Sequence, residues 1–297
     1  MDLVATLIAA PAEPAVDTAA IALIQRILPE ADLAVLADNV AVDLAFVDPS
    51  DRSARDWQDE LRAILGERPI DVVVQTPVAR RKRLLIADMD STLIGQECID
   101  ELADALGIKS AIAGITERAM RGEIEFEPAL RERVSLLKGL PISVVDEVLA
   151  ERITLTPGAR ALVQTMKAHG AYSSLVSGGF TVFSGPIRER LGIDEHQSNI
   201  LHVADDKVTG TVAEPILGRD AKRARLEELI VELDIPRSDT LAVGDGANDL
   251  AMLDGAGLGV AFHAKPKVAE AADVRIDHGD LSALLYLQGY GAADIVE

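Results

Sequence analysis

The stretch "RLLIADMDSTLIGQECIDELA", residues 83–103, decides the fold, because a short apolar run ends abruptly in two acidic residues. Residues 84–87 lack the polar alternation of a half-exposed strand, which is typical of a parallel strand covered on both faces. Asp88 and Asp90 follow directly. Two carboxylates so close together repel each other, so this strand end predicts a site with compensating positive charge.

The composition limits the classes of partner. The chain has 297 residues, 48% of them hydrophobic, and a formal net charge of −20 from 49 acidic and 29 basic residues. This balance argues against nucleic acid or an anionic membrane as a partner, and an anionic small ligand would need locally placed cations. Cys98 is the only cysteine, which excludes an intrachain disulfide and a multi-cysteine zinc site.

The chain carries no pattern typical of export or of membrane insertion. Asp2 stands near the start and the first basic residue is Arg26, which is not typical of a secretory signal peptide. The longest uncharged run, residues 170–187, is interrupted by Gly, Ser and Pro, unlike a transmembrane helix. We therefore expect a cytoplasmic protein.

Residues 1–76 alternate strand-like and helix-like segments in the order β-α-β-β-α-β, with a hairpin turning at Asp38 and Asn39. This order predicts a ferredoxin-like α+β domain, a fold that also suits small regulatory modules of the ACT type. Residues 77–83 follow as a predicted linker, because a proline and a basic cluster separate the two patterns.

Residues 84–297 predict a second, α/β domain. Short apolar runs at 84–88, 172–177, 240–245, 258–262 and 274–276 alternate with helix-like segments, which predicts a doubly wound, mostly parallel sheet of the Rossmann type. The first two runs are separated by far more residues than one crossover helix needs. Four helix-like stretches lie there, so we expect an inserted helical cap at about residues 94–155.

Polar groups follow three of the predicted strands: Asp88 and Asp90, then residues 177–179, then "GDGAND" at 244–249. Ligands of doubly wound sheets bind at the carboxyl ends of the strands, so these groups are expected to meet. An unpaired buried carboxylate costs several kcal/mol, and Mg²⁺ removes that cost. Asp88 and Asp245 are therefore predicted Mg²⁺ ligands, with Asp90 adding its backbone carbonyl or its side chain.

The segment "LVSGGF" places Ser177, Gly178 and Gly179 at a strand end. Backbone N–H groups of glycines approach a phosphate closely, and the hydroxyl donates a hydrogen bond, although an ordinary turn has the same composition. The chain contains no G-x-x-x-x-G-K-S/T motif, and "GDGAND" and "GAGLGV" do not match G-x-G-x-x-G. A P-loop is thus excluded, and a dinucleotide site has little support.

Three charged residues on predicted helices have two interpretations each. Lys222 either neutralises a phosphate or is an exposed helix lysine. Arg133 shares a helical face with Leu130 and Val134, so it either extends to solvent or binds a ligand carboxylate. Glu97, just before a helix, either contacts a ligand or interacts with the helix dipole.

The segments "DMDSTL", "SGGF", Lys222 and "GDGANDLAM" resemble, in order and spacing, the four motifs of haloacid dehalogenase-like phosphatases. The segments "ECIDELA", "FEPALRERVSLLKGLP" and "VSGGF" resemble the phosphoserine phosphatases of that family. The resemblance covers about residues 84–290, and residues 1–76 resemble more loosely an extra domain of many bacterial members.

The resemblance implies a mechanism. Asp88 would be the nucleophile that forms an aspartyl-phosphate, and Asp90 the general acid and base. Mg²⁺ would be held by Asp88, Asp90 and Asp245. The phosphoryl group would be held by Ser177, Gly178 and Lys222 and touched by Asn248, with Gly179 and Asp249 in support.

The resemblance also implies which residues bind the amino-acid part of the substrate. Glu97 would bind the ammonium group of phosphoserine and Arg133 its carboxylate, while Met120 and Phe126 line the cap. The implied activity is Mg²⁺-dependent hydrolysis of O-phosphoserine to serine and phosphate, the last step of serine biosynthesis.

Two alternatives stay open. One is a related enzyme that acts on another phosphomonoester or transfers phosphate to an acceptor such as homoserine. The other is an amino-acid sensor whose phosphatase-like domain is inactive. The sequence leaves undetermined the role of residues 1–76 and whether the chain forms a homodimer.

Overall fold

The computed structural model describes residues 1–50, 52–120 and 123–296, and for Met120 the backbone alone. Its amino-terminal part contains a four-stranded antiparallel sheet in the order β2-β3-β1-β4. The elements are β1 Asp2–Ile8, α1 Thr18–Gln25, β2 Asp32–Ala37, β3 Ala41–Val47, α2 Ala54–Leu65 and β4 Asp71–Gln75. This order confirms the predicted ferredoxin-like fold.

Local sequence signals account for these elements. Asn39 has φ 59° between β2 and β3, a left-handed conformation that asparagine tolerates and that closes the predicted hairpin. Ser53 and Asp56 form a reciprocal capping box at the start of α2. Apolar residues of both helices, including Ile24 and Leu61, pack in one core with strand residues such as Leu44.

The second sheet has six strands in the described residues, in the order β12-β11-β10-β5-β6-β7, and all neighbours are parallel. The strands are β5 Leu84–Ala87, β6 Tyr172–Phe180, β7 Glu195–Asn199, β10 Thr240–Gly244, β11 Leu258–Phe262 and β12 Val274–Ile276. Five of them were predicted from apolar runs. The helices are α7 Ala159–Ala168, α8 Thr181–Leu191, α9 Arg219–Glu232, α10 Leu250–Gly255, α11 Pro266–Ala271 and α12 Ala283–Leu287.

Helices cover both faces of this sheet, which explains why β5 shows no polar alternation. Leu85 and Ala87 pack in one apolar core, together with residues of α7, α8 and α12. Leu84 and Ile86 pack in a second core, with residues of α9 and α10. None of the helices in the described ranges is both long and apolar enough to span a bilayer.

No sequence pattern predicted β7 or the antiparallel hairpin formed by β8 Leu201–Ala204 and β9 Lys207–Val212. The β7 sequence "EHQSN" has no apolar residue to signal a strand. Its side chains are instead satisfied by neighbours: Glu195 accepts hydrogen bonds from Ser174 at 2.8 Å and from Arg225 at 2.7 and 2.8 Å. Polar contacts across the chain therefore specify this edge strand.

The described chain between β5 and β6 contains the four cap helices that the sequence predicts. They are α3 Cys98–Ala105, α4 Lys109–Met120, α5 Phe126–Ser135 and α6 Ile142–Glu151. An antiparallel bridge joins Ile94 to Leu155, and the Gly95 N–H donates to the Thr154 carbonyl at 3.1 Å. The two chain connections of the cap are thus paired side by side.

Arg80, in the predicted linker, holds the two sheets together. Its guanidinium donates to Asp43 Oδ2 at 2.7 Å and to Thr6 Oγ1 at 3.2 Å, both in the antiparallel sheet. It also donates to the Leu287 carbonyl of α12 at 3.1 Å. The side chains of Arg80 and Asp43 are only 13% and 11% exposed, so this ion pair is largely removed from water.

We expect Arg80→Ala to destabilise the protein, because it leaves the Asp43 carboxylate buried without its partner. The expected loss in free energy of unfolding is about 3 kcal/mol, measured by urea unfolding. Arg68→Ala is the matched control, because Arg68 and its partner Asp17 are 37% and 54% exposed. That control is expected to lose less than about 1 kcal/mol, and equal losses would contradict a special role for Arg80.

Candidate active site

A cavity of about 410 Å³ lies between the carboxyl edge of the six-stranded sheet and the cap helices. Both walls contribute residues that the sequence singled out. The sheet side provides Asp88, Asp90, Ser177, Gly178, Gly179, Asp245 and Asn248, and the cap side provides Glu97, Phe126 and Arg133. The fold therefore gathers groups that are far apart in sequence at one place, as the strand-end rule predicts.

Asp88 stands at the end of β5 and is 5% exposed. Its Oδ1 accepts a hydrogen bond from the Met89 N–H at 2.7 Å. The following turn, Met89–Leu93, departs from helical geometry at Asp90 and at Ser91, which has φ 54°. Asp88 and Asp90 consequently both line the cavity.

Lys222 lies next to this strand end and is only 2% exposed. The interpretation of Lys222 as an exposed helix lysine is therefore excluded. Its Nζ lies 2.7 Å from Asp88 Oδ1 and 2.6 Å from Asp249 Oδ1. Burial by itself lowers the pKa of Lys222, but the two carboxylates outweigh it and raise the pKa above its ordinary value. A permanent positive charge is thus fixed beside Asp88.

Asp249 is held in place by the backbone. Its Oδ2 accepts a hydrogen bond from the Gly246 N–H at 2.9 Å, while Oδ1 accepts from Lys222. A Cβ at Gly244 would collide with the Asp249 side chain, so only glycine fits at the end of β10. Asp249 therefore positions Lys222 below the cavity.

The carboxylates of Asp88, Asp245 and Asp249 form a cluster. Each contributes one oxygen, and these three oxygens lie within 4.8 Å of one another. Both oxygens of Asp249 are already hydrogen-bonded. Asp88 Oδ2 and both oxygens of Asp245 accept no hydrogen bond within the described ranges, although Lys265 Nζ lies 3.6 Å from Asp245. Burial raises the pKa of Asp245 as it does that of Asp88, so this donor set fits a hard divalent cation.

The Asp90 carboxylate is outside this cluster. Its Oδ1 accepts a hydrogen bond at 3.1 Å from the N–H of Cys98, the first residue of α3. Burial, together with the charge of Glu97, raises the pKa of Asp90 to about 7, while the Cys98 N–H acts in the opposite direction. Of the two groups by which Asp90 was predicted to bind Mg²⁺, its side chain is thus the one that does not belong to the carboxylate cluster.

Residues 177–179 lie in the last part of β6, where its pairing with β7 shifts register between Val176 and Phe180. The Gly179 N–H donates to Ser177 Oγ at 2.9 Å. A Cβ at Gly179 would lie 2.9 Å from Asp90 Oδ2, and a Cβ at Gly178 would lie 3.4 Å from the Phe126 ring. Close packing therefore disfavours a side chain at Gly179, whereas a methyl group at Gly178 would make an ordinary contact with the Phe126 ring.

Arg133 projects from α5 into the cap side of the cavity. Its Nε donates to the Ala129 carbonyl at 3.3 Å and its Nη1 to Thr116 Oγ1 at 3.5 Å. Among the described residues it has no carboxylate within 4 Å, and burial lowers its pKa. A half-buried cation with only weak neutral partners is suited to an anionic ligand.

The other cap residues were predicted from resemblance. Glu97 lines the cavity, and its Oε1 accepts a hydrogen bond from Ser91 Oγ at 2.8 Å. Phe126 is 37% exposed and faces Gly178 and Gly218. The side chain of Met120, which was predicted to line the cap, lies outside the described part of the chain.

Three further residues were missed. Thr116 contacts Arg133, and Lys265, just after β11, lies beside Asp245. The strand-end rule could have identified Lys265. Asn199 donates to the Gly178 carbonyl at 2.9 Å and accepts from the Leu217 N–H at 2.8 Å, but it ends β7, a strand that the sequence did not reveal.

Comparison with known proteins agrees with this geometry. The family model of haloacid dehalogenase-like hydrolases matches residues 85–254. A phosphoserine phosphatase of Polaromonas sp. is 49% identical over 210 residues, which cover 69% of this chain and 89% of that protein.

Two solved structures are also similar. A hydrolase of this family from Salmonella enterica serovar Typhi has a TM-score of 0.84 and 30% identity, covering 96% of this chain and 98% of that one. A phospho-aspartyl intermediate analogue of phosphoserine phosphatase has a TM-score of 0.64 and 44% identity, covering 69% of this chain and 98% of that one. From the matched motifs, the sheet order and these similarities, the chain belongs to the haloacid dehalogenase-like hydrolase family.

Proposed function

We propose that this protein is a Mg²⁺-dependent phosphoserine phosphatase, which hydrolyses O-phospho-L-serine to L-serine and phosphate. The observation that carries the proposal is the placement of one cation against the cavity-lining Asp88 and of a second cation in the cap wall of the same cavity. Lys222 is fixed beside Asp88 at the sheet, and Arg133 faces the cavity from the cap without a carboxylate partner among the described residues. Phosphoserine carries a phosphate and a carboxylate at its two ends.

Asp88 is the nucleophile in this proposal. Its carboxylate oxygen attacks phosphorus, and the bond between phosphorus and the seryl oxygen breaks, which leaves an aspartyl-phosphate. The similarity to a phospho-aspartyl intermediate analogue supports this step. Lys222 restrains the Asp88 carboxylate through a 2.7 Å ion pair, so the nucleophile is oriented before substrate binds.

Asp90 transfers the protons. In the first step it donates a proton to the departing seryl oxygen, and in the second it removes one from the water that attacks the aspartyl-phosphate. A pKa of about 7 suits both roles, because neither the acid nor the base form dominates near neutral pH. The Cys98 N–H keeps its carboxylate turned towards the cavity.

The metal site that we infer consists of Asp88, Asp245 and the backbone carbonyl of Asp90. Bound Mg²⁺ supplies charge that offsets the repulsion between the Asp88 carboxylate and the phosphate. The phosphoryl oxygens are held by Ser177 Oγ, the Gly178 N–H and Lys222 Nζ, with Asn248 at the edge of the same cavity. Asp249 keeps Lys222 in position.

The cap recognises the amino acid. Arg133 binds the substrate carboxylate through its planar guanidinium, and Glu97 binds the ammonium group. Phe126 packs beside Gly178 of β6, where it limits the space for larger alcohols. Met120 is proposed to line the same wall.

The wider assignments also follow from this proposal. We infer a division into residues 1–76, a linker 77–83 and a phosphatase domain 84–297 with its cap at about 94–155, supported by the separate apolar cores and the Ile94–Leu155 bridge. The cytoplasmic location and the place at the end of serine biosynthesis stay predictions. A homodimer stays open.

Asp88→Asn is expected to lower phosphate release from phosphoserine by about 1,000-fold or more, because the amide is not a nucleophile. The assay compares Mg²⁺ with a chelator, and the chelator is expected to abolish wild-type activity. Asp254→Asn is the control, since this acid on α10 is 83% exposed. Wild-type activity no higher than that of Asp88→Asn would instead favour the inactive-sensor alternative.

Arg133→Ala is expected to raise KM for phosphoserine about 100-fold, because the substrate carboxylate loses its charged partner. Turnover of a simple aryl phosphate should persist. Arg131→Ala is the matched control on the same helix, because Arg131 is 45% exposed and pairs with Glu127 and Glu214. An unchanged KM for phosphoserine would favour the alternative in which the enzyme acts on another phosphomonoester or transfers phosphate to an acceptor such as homoserine.

Asp90→Asn is expected to separate the two chemical steps. An aryl phosphate with a good leaving group needs no protonation, so it should still phosphorylate Asp88 and release a burst of about one equivalent of phenol per enzyme. Turnover then stalls because no base activates water. Stopped-flow absorbance measures the burst, and steady wild-type turnover would contradict the role of Asp90.

A further inference from the structure

A second cavity, of about 190 Å³, lies between the two sheets and away from the active site. One wall is α2 of the amino-terminal fold and the other is formed by α11 and β12. It shares no lining residue with the active-site cavity. Its polar lining consists of Arg55, Gln58, Asp59, Arg62, Glu270 and Arg275.

Side chains of α2 donate hydrogen bonds to backbone carbonyls of the opposite wall. Arg55 Nη2 donates to the Glu270 carbonyl at 2.9 Å, Gln58 Nε2 to the Asp273 carbonyl at 3.4 Å, and Arg62 Nη2 to the Arg275 carbonyl at 3.4 Å. Within the described ranges, neither Arg55 nor Arg62 has a carboxylate within 4 Å. Each guanidinium has five N–H donors, so most of them stay available.

The charges around this cavity are unevenly compensated. Burial lowers the pKa of Arg62, and the neighbouring Arg275 lowers it further, while Asp277, Asp71 and Asp59 act in the opposite direction. Arg275 Nε lies 3.0 Å from Asp277 Oδ2 but is buried and forms no hydrogen bond with any described residue.

Two guanidinium groups thus repel each other in a partly enclosed space that has unused donors. An anion between them would remove this repulsion and accept their hydrogen bonds. The volume is below the 300–1,000 Å³ or so that is typical of sites for drug-sized ligands, so it admits only a small molecule.

We propose that this cavity is a binding site for a small oxyanion, held by Arg55, Arg62 and Arg275. Carboxylate and phosphate groups both match the planar guanidinium fork. Asp59 and Glu270 line the same cavity and restrict how much negative charge it accepts. Since the ligand would contact α2 on one side and β12 on the other, binding would tie the two sheets together and stabilise the folded protein.

Thermal unfolding tests the proposal with two probes, inorganic phosphate and L-serine, each titrated separately. Wild type is compared with Arg62→Gln and with Arg55→Gln. Arg26→Gln is the matched control, because it removes one positive charge from an exposed position at the end of α1. Both probes can also bind in the active site, but that contribution is common to all four proteins.

For at least one probe, we expect the increase in Tm to be the same in wild type and Arg26→Gln and smaller in Arg62→Gln and Arg55→Gln, which keep only the active-site contribution. The probe that shows the difference identifies phosphate or carboxylate as the ligand group. Turnover of phosphoserine should be unchanged in all three variants. Equal increases in all four proteins for both probes would overturn the proposal.

Crystals soaked in selenate provide a direct second measurement, because the anomalous signal of selenium locates each bound anion. We expect a peak in contact with Arg62 and Arg275 in the wild type and in Arg26→Gln, absent in Arg55→Gln. A peak in the active site serves as the internal positive control. Selenate in the active site alone would exclude the second site, even if Arg62→Gln does not fold.

Discussion

The active site depends on the ion pairs that the buried ammonium group of Lys222 forms with two carboxylates. Asp88 and Asp249 lie 2.7 and 2.6 Å from it, and these carboxylates could not share so small a buried volume without its charge. Asp249 is in turn fixed by the Gly246 N–H, and the lack of a side chain at Gly244 gives it room. Asp88, the proposed nucleophile, is therefore positioned by a chain of contacts that begins in the sheet.

The six-stranded sheet supplies these contacts because its strands end at one edge. β5, β10 and β6 are adjacent and parallel, so their carboxyl ends bring Asp88, Asp245 and Ser177 around one cavity. The cap is inserted directly after β5 and places Arg133 opposite this edge. In the proposed mechanism, the strands thus carry the groups for phosphate chemistry, whereas helices of the cap carry those that bind the amino acid.

The contacts between the two sheets are partly apolar, since Ile8 and Val73 pack in one core with residues of α12, and partly polar. Arg80 links Asp43 to the carbonyl of Leu287, and Asp71 of β4 accepts the backbone N–H groups of Asp277 and Gly279. Such charged contacts are directional and fix how the sheets are oriented. The same interface contains the cavity beside Arg62, where positive charge is not fully matched.

The sequence by itself determined the two sheets, five of the six parallel strands and the cap helices, because apolar periodicity reports directly which faces of a local element are buried. It also determined the strand-end groups Asp88, Ser177 and Asp245. Only the tertiary structure decided which partners these groups have. The helical pattern around Lys222 is the same whether this lysine is exposed or buried, because its partners are distant in the chain. Strand β7 has no apolar signal, because its polar side chains are also satisfied by residues distant in the chain.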